Sequence, residues 1–301
     1  MQIDKIVNLL ETEGPLTGKS LLEKTKIDQF SLWKICNSSE KIITQTIGKR
    51  YLRLDKQVEG YARLSPSIIR EFYGYTIIGT VNNLQEISKR AELLQQEIVQ
   101  ISKNKLELAR EVIKKICESL EDSQIIKECA CFIIAGDVAY GMSHLEPRPE
   151  TSTGELVQGS DLDIVVITRD LPDNIIKGLD LAIYNEKNFL LKNPSYKEEI
   201  DYIVKDISKA RAQMEFDCFE SMVASKILDE GQFLYGSLDI FNEVKKLLSD
   251  KGIPEKIAAL EKEALTNRVN AEAYLLKCEG TLADENVMKL FYTKEEKEEF
   301  F

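Results

Sequence analysis

The sequence predicts an α+β chain: helices with a β-hairpin at the N-terminus, a mixed sheet with helices in the middle, and helices alone at the C-terminus. Three observations carry this. Apolar stretches of strand length alternate with helix-period stretches between residues 105 and 240. Ahead of them, Asn82 to about Leu120 keeps helical apolar spacing. Beyond residue 240 only helical spacing remains. The boundaries that follow are an N-terminal domain over 1–80, a helical connector over 81–122, a sheet-bearing core over 123–240 and a helical region over 241–301.

Within the first domain, residues 4–13 have helical spacing and stop at Gly14-Pro15. Thr17-Gly18-Lys19-Ser20 leads into a short helix over Leu21–Lys26, and a third helix, Gln29–Asn37, holds the single tryptophan, Trp33. Two β-prone stretches, Ile42–Ile47 and Arg50–Leu54, are joined by Gly48-Lys49 and read as a hairpin. Ser65 and Pro66 then read as the N-cap and first turn of another helix, and Gly74 and Gly79 mark a connector. In the long helix Leu84, Ile87, Ala91, Leu94, Ile98 and Ile101 alternate steps of three and four, with Asn104 as a dividing point. So short a seam suits packing on the chain's own domain, the preferred reading, or a homodimer through residues 84–112.

In the core, Leu106–Leu120 precedes a first strand, Glu128–Ala135, and Gly136–Met142 turns into a short helix. Leu162–Thr168 is a second strand, apolar on both faces as a strand in the middle of a sheet must be. Leu179–Leu191 reads as a helix, Glu199–Asp206 alternates like a third strand, and Glu215–Gly231 is a helix followed by Phe233-Leu234-Tyr235-Gly236. Helices over Phe241–Leu248, Pro254–Cys278 and Glu285–Phe291 complete the chain, with Lys294–Phe301 as a frayed acidic end.

Composition narrows the chemistry. With 43% hydrophobic and 30% charged residues, 301 residues can bury a proper core. No apolar run reaches bilayer length, and Met1-Gln2-Ile3-Asp4-Lys5 lacks the order of a signal peptide. Six scattered cysteines fit a reducing, cytoplasmic compartment; Cys129 and Cys131, expected on one strand face, read as core. His144 is the single histidine, which leaves one candidate base for Ser-His-Asp or Cys-His catalysis and makes carboxylates with a hard metal ion the main option. Residues 1–80 hold 12 Lys/Arg against 9 Asp/Glu, net +3, while the remainder holds 28 against 42, net −14. The acidic body disfavours a template-directed polymerase, and the basic head leaves room for local nucleic-acid contact.

Gly159-Ser160-Asp161-Leu162-Asp163 is the most informative stretch, because it sets two carboxylates two residues apart at the rim of the buried second strand. Their repulsion calls for a cation. Together with the apolar strand Cys131–Ala135 and its glycine turn at Gly136, this order resembles the DNA polymerase β superfamily of nucleotidyltransferases over roughly residues 105–240. The closing Glu230-Gly231-x-x-Leu234-Tyr235 resembles the end of that core. The N-terminal helices and hairpin resemble a winged helix-turn-helix domain. The expected architecture is therefore a winged helix, a nucleotidyltransferase mixed-sheet core and C-terminal helices.

The resemblance implies roles. Asp161, Asp163 and Asp201 become the catalytic and metal-binding carboxylates, holding Mg²⁺, two ions in all, with Glu215 and Asp217 as a rival to Asp201. Gly136, Asp137 and Ser160 become nucleotide-binding, the Gly136 amide cradling phosphates. The substrate is a nucleoside triphosphate, ATP preferred, and the acceptor is a protein, an RNA or a small molecule. The chain departs from the pattern twice: Asp137 stands where the superfamily has serine, and Asp161 lies 25 positions beyond Gly136, well over the superfamily's usual spacing. The insertion, Glu146–Gly154, reads as a loop that closes over substrate, with Arg148 on phosphate, or as a tolerated surface loop. On the winged helix, Lys34 on the third helix, beside Gln29, Ser31 and Asn37, and Lys49, Arg50 and Arg53 on the wing are the DNA-contact candidates. Protein interaction or dimerisation serves that scaffold equally well. Two alternatives of other classes are a DNA-binding regulator with an inactive core and a defence-associated module that modifies a protein or RNA partner.

Overall fold

The computed structural model describes residues 2–150, 153–279, 281 and 284–293 of a mixed α+β chain. The end expected over Lys294–Phe301 lies outside the described residues, as do Thr151 and Ser152 of the insertion. The chain divides into two compact units, Met1–Glu97 with Leu260–Phe301, and Ile98–Ala259.

The first unit begins with α1 (Gln2–Glu13), β1 (Leu16–Thr17), α2 (Gly18–Thr25) and α3 (Gln29–Ser38). Thr17 caps α2 and Asp28 caps α3, each accepting a backbone N–H of its first turn. The strands that follow, β2 (Ile42–Thr46) and β3 (Tyr51–Leu54), do not pair as the sequence suggested. β2 pairs antiparallel with β5 (Thr76–Thr80), which also pairs with β1, and β3 pairs with β4 (Ala62–Ser65) in a separate ladder. The centre of a sheet favours an uncharged strand; Thr76-Ile77-Ile78-Gly79-Thr80 is buried throughout, whereas β3 carries Arg53. Between β4 and β5 lies α4 (Ile68–Gly74), capped by Ser67, whose hydroxyl accepts from the Arg70 N–H at 3.2 Å. The expected cap, Ser65, instead ends β4, before a cis peptide bond to Pro66.

The core of this unit joins Ile6, Leu10, Leu32, Ile69 and Ile78 to the aromatic group Phe30, Trp33 and Phe291. The Phe291 ring meets those of Phe30 and Trp33 edge-on at 5.4 and 5.5 Å. The long helix α5 (Leu84–Ser119) is continuous. Asn104 does not divide it, since its side-chain carbonyl accepts from the Gln100 amide at 2.8 Å within the helix. The seam residues Ile87, Ala91, Leu94 and Ile98 are buried by the chain's own packing, while Leu84 is exposed.

The second unit contains α6 (Ser123–Cys129), β6 (Ala130–Ile134), α7 (Gly136–Tyr140), β7 (Pro147–Pro149), β8 (Leu156–Gln158), β9 (Leu162–Thr168), α8 (Asp173–Lys192), β10 (Ile200–Asp206), α9 (Ile207–Gln213), α10 (Phe219–Glu230), β11 (Gln232–Gly236) and α11 (Leu238–Asp250). Two helices follow, α12 (Ile253–Lys277) and α13 (Glu285–Phe291), which belong largely to the first unit. The main sheet runs β10-β9-β6-β11; β9 is parallel to β10, and β6 is antiparallel to both β9 and β11.

Alternation divides the strands between two cores. Phe132, Ile134, Ile164 and Val166 pack with Val112, Ile116, Leu179 and Ile183, whereas Cys131, Ile133, Val165 and Ile167 pack with Ala210, Leu228, Ile240 and Val244. Three sequence expectations change here. Cys129 ends α6 rather than sharing a strand face with Cys131. The insertion is not an open loop, because β7 and β8 pair antiparallel. Glu215–Gly231 is not one helix: the chain turns at Phe216, at φ +60, between α9 and α10. Among the described residues, no helix is long and apolar enough to cross a membrane.

Phe132 is fully buried on the central sheet and meets the Tyr235 ring at 6.1 Å. Phe132→Ala should lower stability by about 3–5 kcal/mol in urea denaturation. Leu181→Ala, on an exposed helix position, should change it by under about 0.5 kcal/mol.

Candidate functional site

One edge of the main sheet gathers the residues singled out from sequence. β6 ends there, β9 and β10 begin there, and α10 delivers Glu230 just before β11. Because β9 and β10 are parallel and in register, Asp163 and Asp201 are direct neighbours on adjacent strands, facing one side. Gly136, at φ +63, lies so close to Asp163 that any side chain there would run into its carboxylate.

Charge is concentrated at this edge. The Asp163 carboxyl is pushed up to about 7, first by burial and then by the negative charges of Asp137, Asp201 and Glu230, with Lys226 opposing. Asp201 is exposed and ion-paired to Lys187 at 3.1 Å. The rival pair is engaged elsewhere: Glu215 with Lys251, and Asp217 with the Ser221 hydroxyl at 3.1 Å.

Asp161 meets the insertion. Arg148 of β7 makes an ion contact with Asp161, donates from Nη2 to Glu199 at 2.8 Å and from Nε to the Gly159 carbonyl at 3.0 Å. Glu199, one residue before β10, has its carboxyl raised by burial, with Arg148 opposing. Beneath the hairpin, the buried Lys105 of α5 donates to Glu198 at 2.5 Å and to the Gln158 carbonyl at 2.9 Å.

The nucleotide-binding candidates already have internal partners. The Ser160 hydroxyl donates to Asp137 Oδ2 at 2.7 Å and accepts from the His144 N–H at 3.2 Å. Asp137, standing where serine was expected, is thus engaged by a neighbouring serine. The Gly136 N–H, expected to face phosphate, donates to Glu230 Oε1 at 3.1 Å. Glu230 also accepts from the Tyr140 hydroxyl at 2.7 Å and pairs with Lys226. Sequence reasoning did not assign roles to Glu199, Glu230, Lys226 or Tyr140; the i,i+4 spacing of Lys226 and Glu230 was the available signal.

The carboxylates suit a hard divalent cation by donor type. The glycine backbone pressed on Asp163 fits such a site. Among the described residues, no three His, Cys, Asp or Glu side chains stand grouped as metal ligands. Arg148 takes that place beside Asp161.

The candidate DNA face is partly committed to internal contacts, contrary to the exposed surface expected from sequence. Lys34 donates to the Cys278 carbonyl at 2.5 Å, and the Gln29 side chain accepts from the Tyr292 hydroxyl. Arg50 forms a two-pronged pair with Glu71, both bonds at 2.6 Å, and approaches Glu272 at 3.2 Å; Arg268 meets Glu71 at 3.2 Å. Lys49 is exposed and Arg53 half-buried. Comparison of the sequence with protein-family models and with curated proteins finds no match.

Two measurements follow. In metal-free protein, Asp163 favours folding below pH 4, and that contribution is lost as pH rises through about 7, because the folded state holds the proton longer than the unfolded chain. Asp163→Asn should therefore be more stable than wild type at pH 8, by up to about 4 kcal/mol, and should flatten the stability slope between roughly pH 4 and 7. Glu71→Ala leaves Arg50 and Arg268 without their shared carboxylate and should cost about 3 kcal/mol in chemical denaturation.

Proposed function

We propose that the Ile98–Ala259 unit is a magnesium-dependent nucleotidyltransferase of the DNA polymerase β type. It moves a nucleoside monophosphate from a triphosphate, ATP preferred, to an acceptor, with release of pyrophosphate. The observation that carries this is the in-register placement of Asp163 and Asp201 on parallel strands, against the backbone of Gly136.

In this reading Asp161 and Asp163 hold Mg²⁺, and Asp201 completes a second site or takes the proton of the attacking hydroxyl on its carboxylate. Bound Mg²⁺ supplies charge neutralisation of the phosphates and acidifies that hydroxyl. Gly136 and Ser160 orient the phosphates through the N–H and the hydroxyl that Glu230 and Asp137 occupy in the resting protein. The N-terminal unit is read as a winged helix whose wing is expanded over residues 47–75. It recruits a protein partner in preference to DNA, since Lys34 and Arg50 are spent on internal contacts. The alternative, an inactive core, draws on one observation: Arg148 and Glu230 already fill the positions that metal and phosphate need.

The deciding experiment incubates the full chain with labelled nucleoside triphosphates, Mg²⁺ and host lysate, beside Asp161→Ala/Asp163→Ala. Transfer or pyrophosphate release should fall by at least about a hundredfold in the double variant. Equal silence of both proteins with all four nucleotides, together with no triphosphate binding, would rule out the enzyme.

A further inference from the structure

We propose that Arg148 regulates this site as an exchangeable counter-ion, neutralising Asp161 and Glu199 in the absence of nucleotide and moving onto the triphosphate when it binds, which releases Asp161 to the metal. The inference rests on the nucleotidyltransferase reading above and adds a control to the same site.

Three features support the exchange. First, the Arg148 side chain is only 13% exposed and is shared among three acceptors, Asp161, Glu199 and the Gly159 carbonyl, so the Asp161 contact is one of several it makes. A metal ion on Asp161 would replace the charge that Arg148 supplies there, while the bonds to Glu199 and the Gly159 carbonyl are what the triphosphate must outcompete. A guanidinium never sheds its proton in a protein, so Arg148 leaves Asp161 only by finding another anion. Its planar fork matches phosphate oxygens two at a time.

Second, the backbone that carries Arg148 is anchored. Arg148 pairs in register with the buried Val157 across the β7–β8 hairpin. The base of that hairpin is tied by the Lys105 ammonium to the Gln158 carbonyl at 2.9 Å and by the Gln158 N–H to the Lys197 carbonyl at 2.7 Å. Gly159, at φ +70, is pressed against the His144 backbone, where a side chain would not fit. These ties hold the base of the hairpin, so the proposed exchange is assigned to the Arg148 side chain.

Third, the partners lie at the substrate-facing edge. Asp161 belongs to the carboxylate pair beside Gly136, and Glu199 immediately precedes the strand that carries Asp201. A triphosphate arriving there brings the anionic charge that draws Arg148 off Asp161, and the freed carboxylate then strengthens metal binding. Metal and nucleotide should therefore bind with positive coupling, each raising the affinity of the other by one factor.

The test uses full-length protein stripped of metal and measures Mn²⁺ binding by electron paramagnetic resonance, with and without a non-hydrolysable ATP analogue. Wild type should bind Mn²⁺ about tenfold more tightly once the analogue is present. Arg148→Gln should bind Mn²⁺ alone about tenfold more tightly than wild type, bind the analogue more weakly, and lose most of the coupling. Arg148→Lys retains the charge and guards against a folding defect; it should match wild type for Mn²⁺ alone but bind the analogue less well, for want of the two-pronged fork. Unchanged Mn²⁺ affinity in Arg148→Gln with coupling intact, or wild-type analogue binding in Arg148→Lys, overturns the role of Arg148 and leaves the transferase reading standing. Failure of wild type to bind either Mn²⁺ or the analogue overturns both.

Discussion

Repulsion among carboxylates at one edge of a buried sheet is the constraint on which the second unit turns. β9 lies in the interior of its sheet, with Ile164 and Val166 in one core and Val165 and Ile167 in the other, so it cannot shift to relieve strain at its start. That start carries Asp163, and the parallel register with β10 sets Asp201 alongside it. Asp137 and Glu230 add their charges from α7 and α10. Apolar packing thus holds in place a group of like charges that would separate if the backbone were free.

The surrounding structure can be read as compensation for that crowding. Glu230 is drawn to the Gly136 N–H, the Tyr140 hydroxyl and Lys226, all of which stabilise negative charge. Asp137 takes the Ser160 hydroxyl, and Asp161 and Glu199 share Arg148. The insertion gains a structural purpose from this arrangement. It folds as a hairpin, pinned by Lys105, that carries one guanidinium to two carboxylates. The Asp163 carboxyl, buried among these charges, is raised to about 7.

Much of this edge was legible in the sequence, for local reasons. Apolar runs of strand length fixed β6 and β9, alternation fixed β10, and a glycine at a strand end beside an Asp-x-Asp pair marked where the chemistry would lie. What remained hidden depended on contacts distant in the chain. Arg148 and Asp161, or Gly136 and Glu230, are matched by the fold, and no spacing rule connects them. The same holds for β2, whose partner β5 begins 30 residues after it ends rather than in the next apolar stretch. Near misses arose where two neighbours were equally suited, as with Ser65 and Ser67 before α4; the cap went to the serine whose hydroxyl reaches the Arg70 N–H. The break between α9 and α10 was concealed because Glu215 and Asp217 look as natural at a helix start as in a turn.

The two units handle buried charge in opposite ways, and the contrast bears on where function resides. In the first, Arg50, Glu71, Arg268 and Glu272 alternate in sign, so each charge faces its opposite and the cluster joins α4 to α12. In such a network each charge is offset by a neighbour of opposite sign. In the second, Asp137, Asp161, Asp163, Glu199, Asp201 and Glu230 face Arg148, Lys187 and Lys226, and the excess is negative. Folding energy from the two apolar cores holds this imbalance in place. An edge with surplus carboxylate is relieved by a proton, as on Asp163, or by added positive charge, and the second route is the physical ground for the cation of the transferase reading proposed above.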